Sequence, residues 1–399
     1  MSAAGQASSV LVARQPICDA DLNVCAYELL HRGEAVDGEQ ATAQVLLAAC
    51  GDIGLGALVG ARRAYVNVSR RFLLEVDPLP FEPELVVLEL LEDQLIDDAL
   101  VNRLKELTGA GYVLALDDFA YGPEAEPLLQ LASIVKVDVR AGDEGHPARQ
   151  ARLLSRYGVT LLAEKVEDQV EFERCRALGY ELFQGWFFCK PELVEGRAIP
   201  SASLAAIQAA ASLSRPRVSF EEVEAVVSRD PGLSLRLLRL LNSASFSLRR
   251  RFETVHEAIV LLGAENVRQW GMLLALGGVK ARCDELVPTA LVRAQTLSLL
   301  AAERGDDPDR AFAIGLFSVA DALLGAPMEQ ALHDLPLATP IVDALVRHAG
   351  DDGAALAAML AHERADQLAG AAGVTQQALA ASYLQALAWA QERSGAVRA

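Results

Sequence analysis

The most constraining feature of the chain is a recurrence of short apolar runs, each ending on a side chain that carries oxygen or charge. Ala64-Tyr65-Val66-Asn67 ends on an amide, and Leu85-Val86-Val87-Leu88-Glu89 on a carboxylate. Val113-Leu114-Ala115-Leu116 runs straight into Asp117-Asp118, and Ile134-Val135-Lys136-Val137-Asp138 carries a lysine and an aspartate. The run 159–164 ends on Glu164, and Leu182-Phe183-Gln184 on a second amide. Runs of this length and composition read as buried parallel strands. Helix-like segments at 97–108, 124–132, 147–157 and 169–178 separate them. Strand and helix in alternation predict βα units, and enough units in series predict a closed barrel. Such barrels carry their sites at the carboxyl ends of the strands, where these polar residues fall. Adjacent carboxylates at a buried edge resist ionising unless a cation or donor compensates them. The expected mouth is therefore oxygen-lined and anionic.

The chain has 399 residues, which predicts two domains. Hydrophobic residues make up 52%, enough for packed cores, and the formal net charge of -18 argues against a DNA or RNA polymer or an anionic membrane as main partner. Six cysteines show no Cys-x-x-Cys or Cys/His zinc spacing and read as free thiols in a reducing compartment. No signal pattern and no transmembrane run stands out, so a cytoplasmic protein is expected. Residues 8–31 read as a hairpin turning at 19–23, and 42–53 as a helix stopped by Gly54 and Gly56. Small residues and Pro200 around 196–203 mark a boundary. Beyond it the pattern is helical. Ser219 with Glu222 and Thr254 with Glu257 read as capping boxes. Asp230-Pro231 reads as an N-cap followed by proline, and Gly263 as a helix stop. Polar breaks are expected near 305–309 and 350–353. The fold class is α/β followed by all-α.

With Glu28-Leu29-Leu30-His31-Arg32, Asn67, Glu89, Asp117-Asp118, Lys136 and Glu164-Lys165-Val166-Glu167 in order, residues 10–195 resemble the EAL domain. That family adopts a modified TIM (β/α) barrel and cleaves cyclic di-GMP to its linear dinucleotide with Mg²⁺ or Mn²⁺. The resemblance implies metal ligands at Glu28, Asn67, Glu89, Asp117, Asp118 and Glu164. It implies catalytic roles for Lys136, Glu164 and Asp118, and substrate contacts at Gln15, Arg32, Asp138, Glu167 and Gln184. Glu92 falls where the family keeps a loop-stabilising glutamate. The chemistry agrees, since Mg²⁺ and Mn²⁺ prefer oxygen ligands and Arg32 offers a planar fork to phosphate. Two departures stand out. Asp117-Asp118-Phe119-Ala120-Tyr121-Gly122-Pro123 replaces the usual Asp-Asp-Phe-Gly-Thr-Gly-Tyr, and Lys165 replaces a glycine.

Residues 201–390 resemble the HDOD domain, a helical relative of HD-type phosphohydrolases. The resemblance rests on Asp230-Pro231-Gly232-Leu233, the run 237–246 and Ala258-Ile259-Val260-Leu261-Leu262-Gly263. Where HD enzymes carry His-Asp, this chain has Ser318-Val319. His333-Asp334 reads as a surface turn, and Arg249-Arg250-Arg251 with Arg236 and Arg239 as a solvated face. The expected division is an EAL domain over 8–198 and an HDOD domain over 201–392. Together they point to a metal-dependent cyclic di-GMP phosphodiesterase of slow turnover. Its helical half would contact another protein or a second copy of the chain. The alternative is a catalytically weak cyclic di-GMP sensor signalling through the same half.

Overall fold

The computed structural model describes residues 12–31, 54–91, 94–117, 125–189, 201–215, 218–242, 252–277, 279, 283–333, 335–364 and 374–398. The chain forms two compact units, Met1–Lys190 with His362–Asp366, and Pro191–Ala361 with Gln367–Ala399.

The first unit is a closed barrel of β1 (Val12–Asp19), β2 (Val24–His31), β3 (Arg63–Val68), β4 (Val86–Leu90), β5 (Val113–Leu116), β6 (Ile134–Asp138), β7 (Thr160–Val166) and β8 (Leu182–Gly185). β1 runs antiparallel to both β2 and β8, and every other neighbouring pair is parallel. The hairpin expected from the sequence supplies this inverted strand. The carboxylate of Asp19 takes N–H groups of Asp21 and Asn23 at 2.9 Å each and so ties the turn. The helix expected over 42–53 lies outside the described residues. Of the crossover helices, Asp98–Gly109 starts on Asp97, which accepts the Leu100 N–H, and Gln169–Ala177 starts on Asp168, which accepts that of Glu171.

Period two decides what points inward. Ile17, Ala26, Tyr65, Val87, Ala115, Ile134 and Leu162 pack together inside the barrel, with Leu182 against them. Two residues toward the mouth on each strand stand Gln15, Glu28, Asn67, Glu89, Asp117, Lys136, Glu164 and Gln184. Residues two apart share a face, so one polar layer caps one apolar layer. On β1 the step runs toward the N-terminus, because that strand is inverted.

β7 is irregular. Its register against β8 shifts between Ala163 and Val166, a bulge that lets Gly185 lie against the Val166 backbone. A Cβ on Gly185 would stand 2.0 Å from the Val166 carbonyl oxygen, and φ is +150°. Gly185→Ala should therefore cost at least about 3 kcal/mol, through backbone clash and strain together. A denaturant titration of both proteins measures the difference.

The second unit is helical throughout its described residues. Ser219 and Glu222 form a reciprocal capping box, and Asp230 caps the helix Pro231–Leu241. At Thr254 the expected box is half made. Thr254 accepts the Glu257 N–H, but the Glu257 carboxylate takes the N–H of Glu253. The break expected at 350–353 falls slightly earlier, because His348 turns left-handed at φ +50° and the next helix begins at Gly350. Leu286–Arg304 packs against Pro308–Phe317 and Gln376–Arg398. Gly315 permits the first contact, since a Cβ there would lie 2.4 Å from the Ala294 nitrogen. Among the described residues no helix is long and apolar enough to cross a membrane, and Cys18, Cys25, Cys175, Cys189 and Cys283 are free thiols.

Candidate functional site

The polar layer converges on one atom, Nζ of Lys136. It lies 2.8 Å from Glu89 Oε1, 2.8 Å from Asp117 Oδ1, 2.8 Å from Glu164 Oε1 and 3.3 Å from Glu28 Oε2. Lys136 is 1% exposed and Glu89 0%. Four strands supply the carboxylates and a fifth the ammonium. β2 brings Glu28, β4 Glu89, the end of β5 Asp117, β7 Glu164 and β6 Lys136. Amides complete the layer. Gln184 Nε2 donates to Glu28 Oε2 at 2.5 Å and to Gln15 Oε1 at 2.9 Å, and Asn67 Nδ2 donates to Glu28 Oε1 at 3.3 Å.

One ammonium cannot neutralise four carboxylates, and an ammonium has only three N–H donors. The imbalance shows in the acidities. Burial pushes the Glu89 carboxyl well above the ordinary carboxylate range, repulsion by Glu28 adds to this, and Lys136 opposes it. Burial pushes Glu164 up to about 8, against Lys136 and with Asp117 and Glu28 adding. Burial acts to lower the Lys136 ammonium, but Glu28, Glu89, Glu164 and Asp117 outweigh it and hold the group well above its usual range. The raised pKa values of Glu89 and Glu164 favour proton uptake where positive charge is short.

The layer suits a hard divalent cation in its donor chemistry. Every converging side chain apart from Lys136 offers oxygen, and Glu89 Oε2 and Gln184 Oε1 are buried with no hydrogen-bond donor among the described residues. Among the described residues no three His, Cys, Asp or Glu side chains stand in coordinating geometry. The Lys136 ammonium takes the central position among these carboxylates.

Above this layer opens a cavity of about 530 Å³, with Gln15, Glu28, Asp117, Glu164 and Gln184 in its lining. Its rim carries ion pairs. Lys165 Nζ lies 2.6 Å from Asp138 Oδ2, and Arg140 lies 2.7 Å from Glu167 and 3.2 Å from Glu171.

In comparison with known proteins, residues 67–191 match the EAL domain and residues 199–363 the HDOD domain. The cyclic di-GMP phosphodiesterase CdgJ of Vibrio cholerae serotype O1 is 34% identical over 367 residues, 89% of this chain and 85% of CdgJ. This chain belongs to the EAL–HDOD family. The uncharacterized protein YuxH of Bacillus subtilis (strain 168) is 33% identical to this EAL–HDOD chain over 359 residues, 86% of the chain and 88% of YuxH. A solved structure, a standalone versatile EAL protein from Vibrio cholerae O395 in its c-di-GMP bound form, aligns with 45% of this chain and 91% of its own. Its identity is 23% and its TM-score 0.36.

Of the residues singled out in the sequence, the EAL barrel brings Gln15, Glu28, Asn67, Glu89, Asp117, Lys136, Glu164 and Gln184 into one layer. Asp138 and Glu167 stand at the rim instead, each held by a cation. Arg32, Glu92, Asp118 and the loop 120–123 lie outside the described residues. Arg140 and Trp186 line the cavity but were not singled out. Arg140 follows β6 in a turn, where no periodicity marks direction. Trp186 sits beside the glutamine motif, and its proximity to Gln184 was the available signal.

In the HDOD half, Ser318 follows the helix Pro308–Phe317 and donates to the Gly315 carbonyl at 2.7 Å, while Arg293 donates to Ser318 at 3.1 Å. Ser318 thus satisfies a helix end and a buried guanidinium. His333 stands at the end of the helix Met328–Leu332, and Asp334 lies outside the described residues. Arg249-Arg250-Arg251 also lies outside them.

Proposed function

We propose that the barrel, as a domain spanning 8–198, binds cyclic di-GMP and slowly hydrolyses it to the linear dinucleotide with Mg²⁺ or Mn²⁺. The observation that carries this reading is the ring of Glu28, Glu89, Asp117 and Glu164 about Lys136 at the mouth of a closed barrel, in an EAL–HDOD chain. The phosphodiesterase activity of CdgJ, aligned with nearly the whole chain, supports the same substrate.

Glu28, Asn67, Glu89, Asp117, Asp118 and Glu164 would hold the cations. When bound, these ions would activate water and stabilise charge on the attacking and leaving oxygens of the phosphodiester. The chain's own residues do the rest. Lys136 would offer its ammonium to the phosphate and stabilise the charge that develops there. Glu164, which faces Lys136 across the mouth of the barrel, would in its ionised form accept a proton from the attacking water. Gln184 orients Glu28 by donating to it, and Gln15 and Arg32 hold the ligand. Asp138 and Glu167 present acceptors at the rim. Slow turnover follows from Ala120-Tyr121-Gly122-Pro123, which has lost a flexible glycine and gained a proline. The HDOD domain, 201–392, would pass the state of the barrel to a protein partner.

The test is full-length protein with cyclic di-GMP and either Mg²⁺ or Mn²⁺, binding and linear product being followed together. Slow appearance of linear dinucleotide is expected, and faster appearance when Ala120-Tyr121 is replaced by Gly-Thr. Binding without product in both proteins would favour the sensor, whose support is that same loop sequence. No binding in either would overturn both readings.

A further inference from the structure

The bulge in β7 carries an unexpected side chain. Lys165 lies between Ala163 and Val166, where the register shifts, and has φ +57°. A left-handed backbone at a bulge is the conformation glycine adopts without strain, whereas any side chain there is strained. Strained residues cluster at active sites and ligand clamps, so one at a cavity mouth points to a functional reading of its side chain. The Lys165 side chain is half exposed, lines the cavity and lies 2.6 Å from Asp138 Oδ2. Asp138 is fixed on its other oxygen, which accepts the Arg140 N–H at 2.8 Å. Arg140, the neighbouring cation, serves Glu167 and Glu171. An exposed ion pair of the Lys165–Asp138 kind adds little stability and is a weak reason to keep a strained lysine. The charge of the cavity offers a stronger one. Its floor gathers four carboxylates around one ammonium, so an anion entering it gains from a cation at the rim.

We propose that Lys165 is a ligand-contacting residue, its ammonium shared between Asp138 and a phosphate oxygen of the bound nucleotide. An ammonium has the donors to serve a carboxylate and a phosphate together. This rests on the reading that the barrel takes a cyclic dinucleotide. The residue binds; it performs no bond-breaking step.

The test compares wild type, Lys165→Gly and Lys165→Arg in the full chain, measuring melting temperature and affinity for cyclic di-GMP with Mn²⁺, at low and high salt. Glycine relieves the backbone, so Lys165→Gly should melt at or above the wild-type temperature. It should nevertheless bind about tenfold more weakly at low salt, with the deficit shrinking at high salt. Lys165→Arg should keep most of the affinity. Stability and affinity moving in opposite directions is the signature expected, and a purely structural lysine would not produce it. Unchanged affinity in Lys165→Gly, or a marked fall in its melting temperature, overturns this inference and leaves the proposed substrate standing. Failure of the wild type to bind cyclic di-GMP overturns both.

Discussion

Lys136→Met should lower the stability of the protein by about 3–5 kcal/mol when no divalent ion is present. The ammonium is 1% exposed and is the cation at the centre of Glu28, Glu89, Asp117 and Glu164. Methionine fills similar volume, so what is lost is charge and hydrogen bonding rather than packing. The four carboxyls are then left to repel each other in a buried layer, and they relieve this by taking up protons. A buried acid with a raised folded-state pKa loses stability as pH rises from its ordinary value of 4.5 towards the folded one, which for Glu164 is about 8 in the wild type. Without Lys136 that upper limit moves higher still, so the deficit of the variant should widen as pH rises. Mn²⁺ should restore part of the lost stability, because it replaces the missing positive charge, yet product formation should stay absent. Thermal melts across pH, with and without Mn²⁺, measure all of this. A variant as stable as the wild type at every pH would mean that the carboxylates do not depend on Lys136.

The second large effect concerns Glu89 and has the opposite form. Glu89 is 0% exposed, and burial pushes its carboxyl well above the ordinary range, which favours the neutral acid there. Glu89→Gln is nearly isosteric with that acid and should change metal-free stability by no more than about 1 kcal/mol. The amide cannot become a carboxylate, however, and the response to metal should collapse. At a hundred times its dissociation constant, a bound ion adds about 2.7 kcal/mol by linkage. In a domain of this size that is a rise of roughly 5–10 °C in melting temperature. The wild type should show such a rise with Mn²⁺, and the variant should lose nearly all of it. A full Mn²⁺ response in Glu89→Gln would put the cation elsewhere.

Both effects depend on residues that were legible in the sequence, for a specific reason. Side chains two apart on a strand share a face, so an apolar residue followed by a polar one two places later marks a polar step above a core. Tyr65 with Asn67, Val87 with Glu89 and Leu162 with Glu164 are such steps. The helix starts at Ser219 and Asp230 were equally legible, because caps are local hydrogen bonds. The half-made box at Thr254 was less so, since one residue's difference in a side-chain partner leaves no trace in composition.

What the sequence determined by itself is therefore the polarity of each strand end, the inverted first strand and the change to helices beyond residue 200. All three follow from periodicity, turn chemistry and capping, which act over a few residues. What only the tertiary structure decided is where those ends meet. Closure of eight strands brings residues from 28 to 164 onto a single ammonium, and the positions of Glu28 and Lys136 along the chain say nothing of their 3.3 Å approach. The left-handed Lys165 arises in the same way. Its backbone is set by a bulge that lets Gly185 close on Val166, a contact between two strands that neither strand encodes alone.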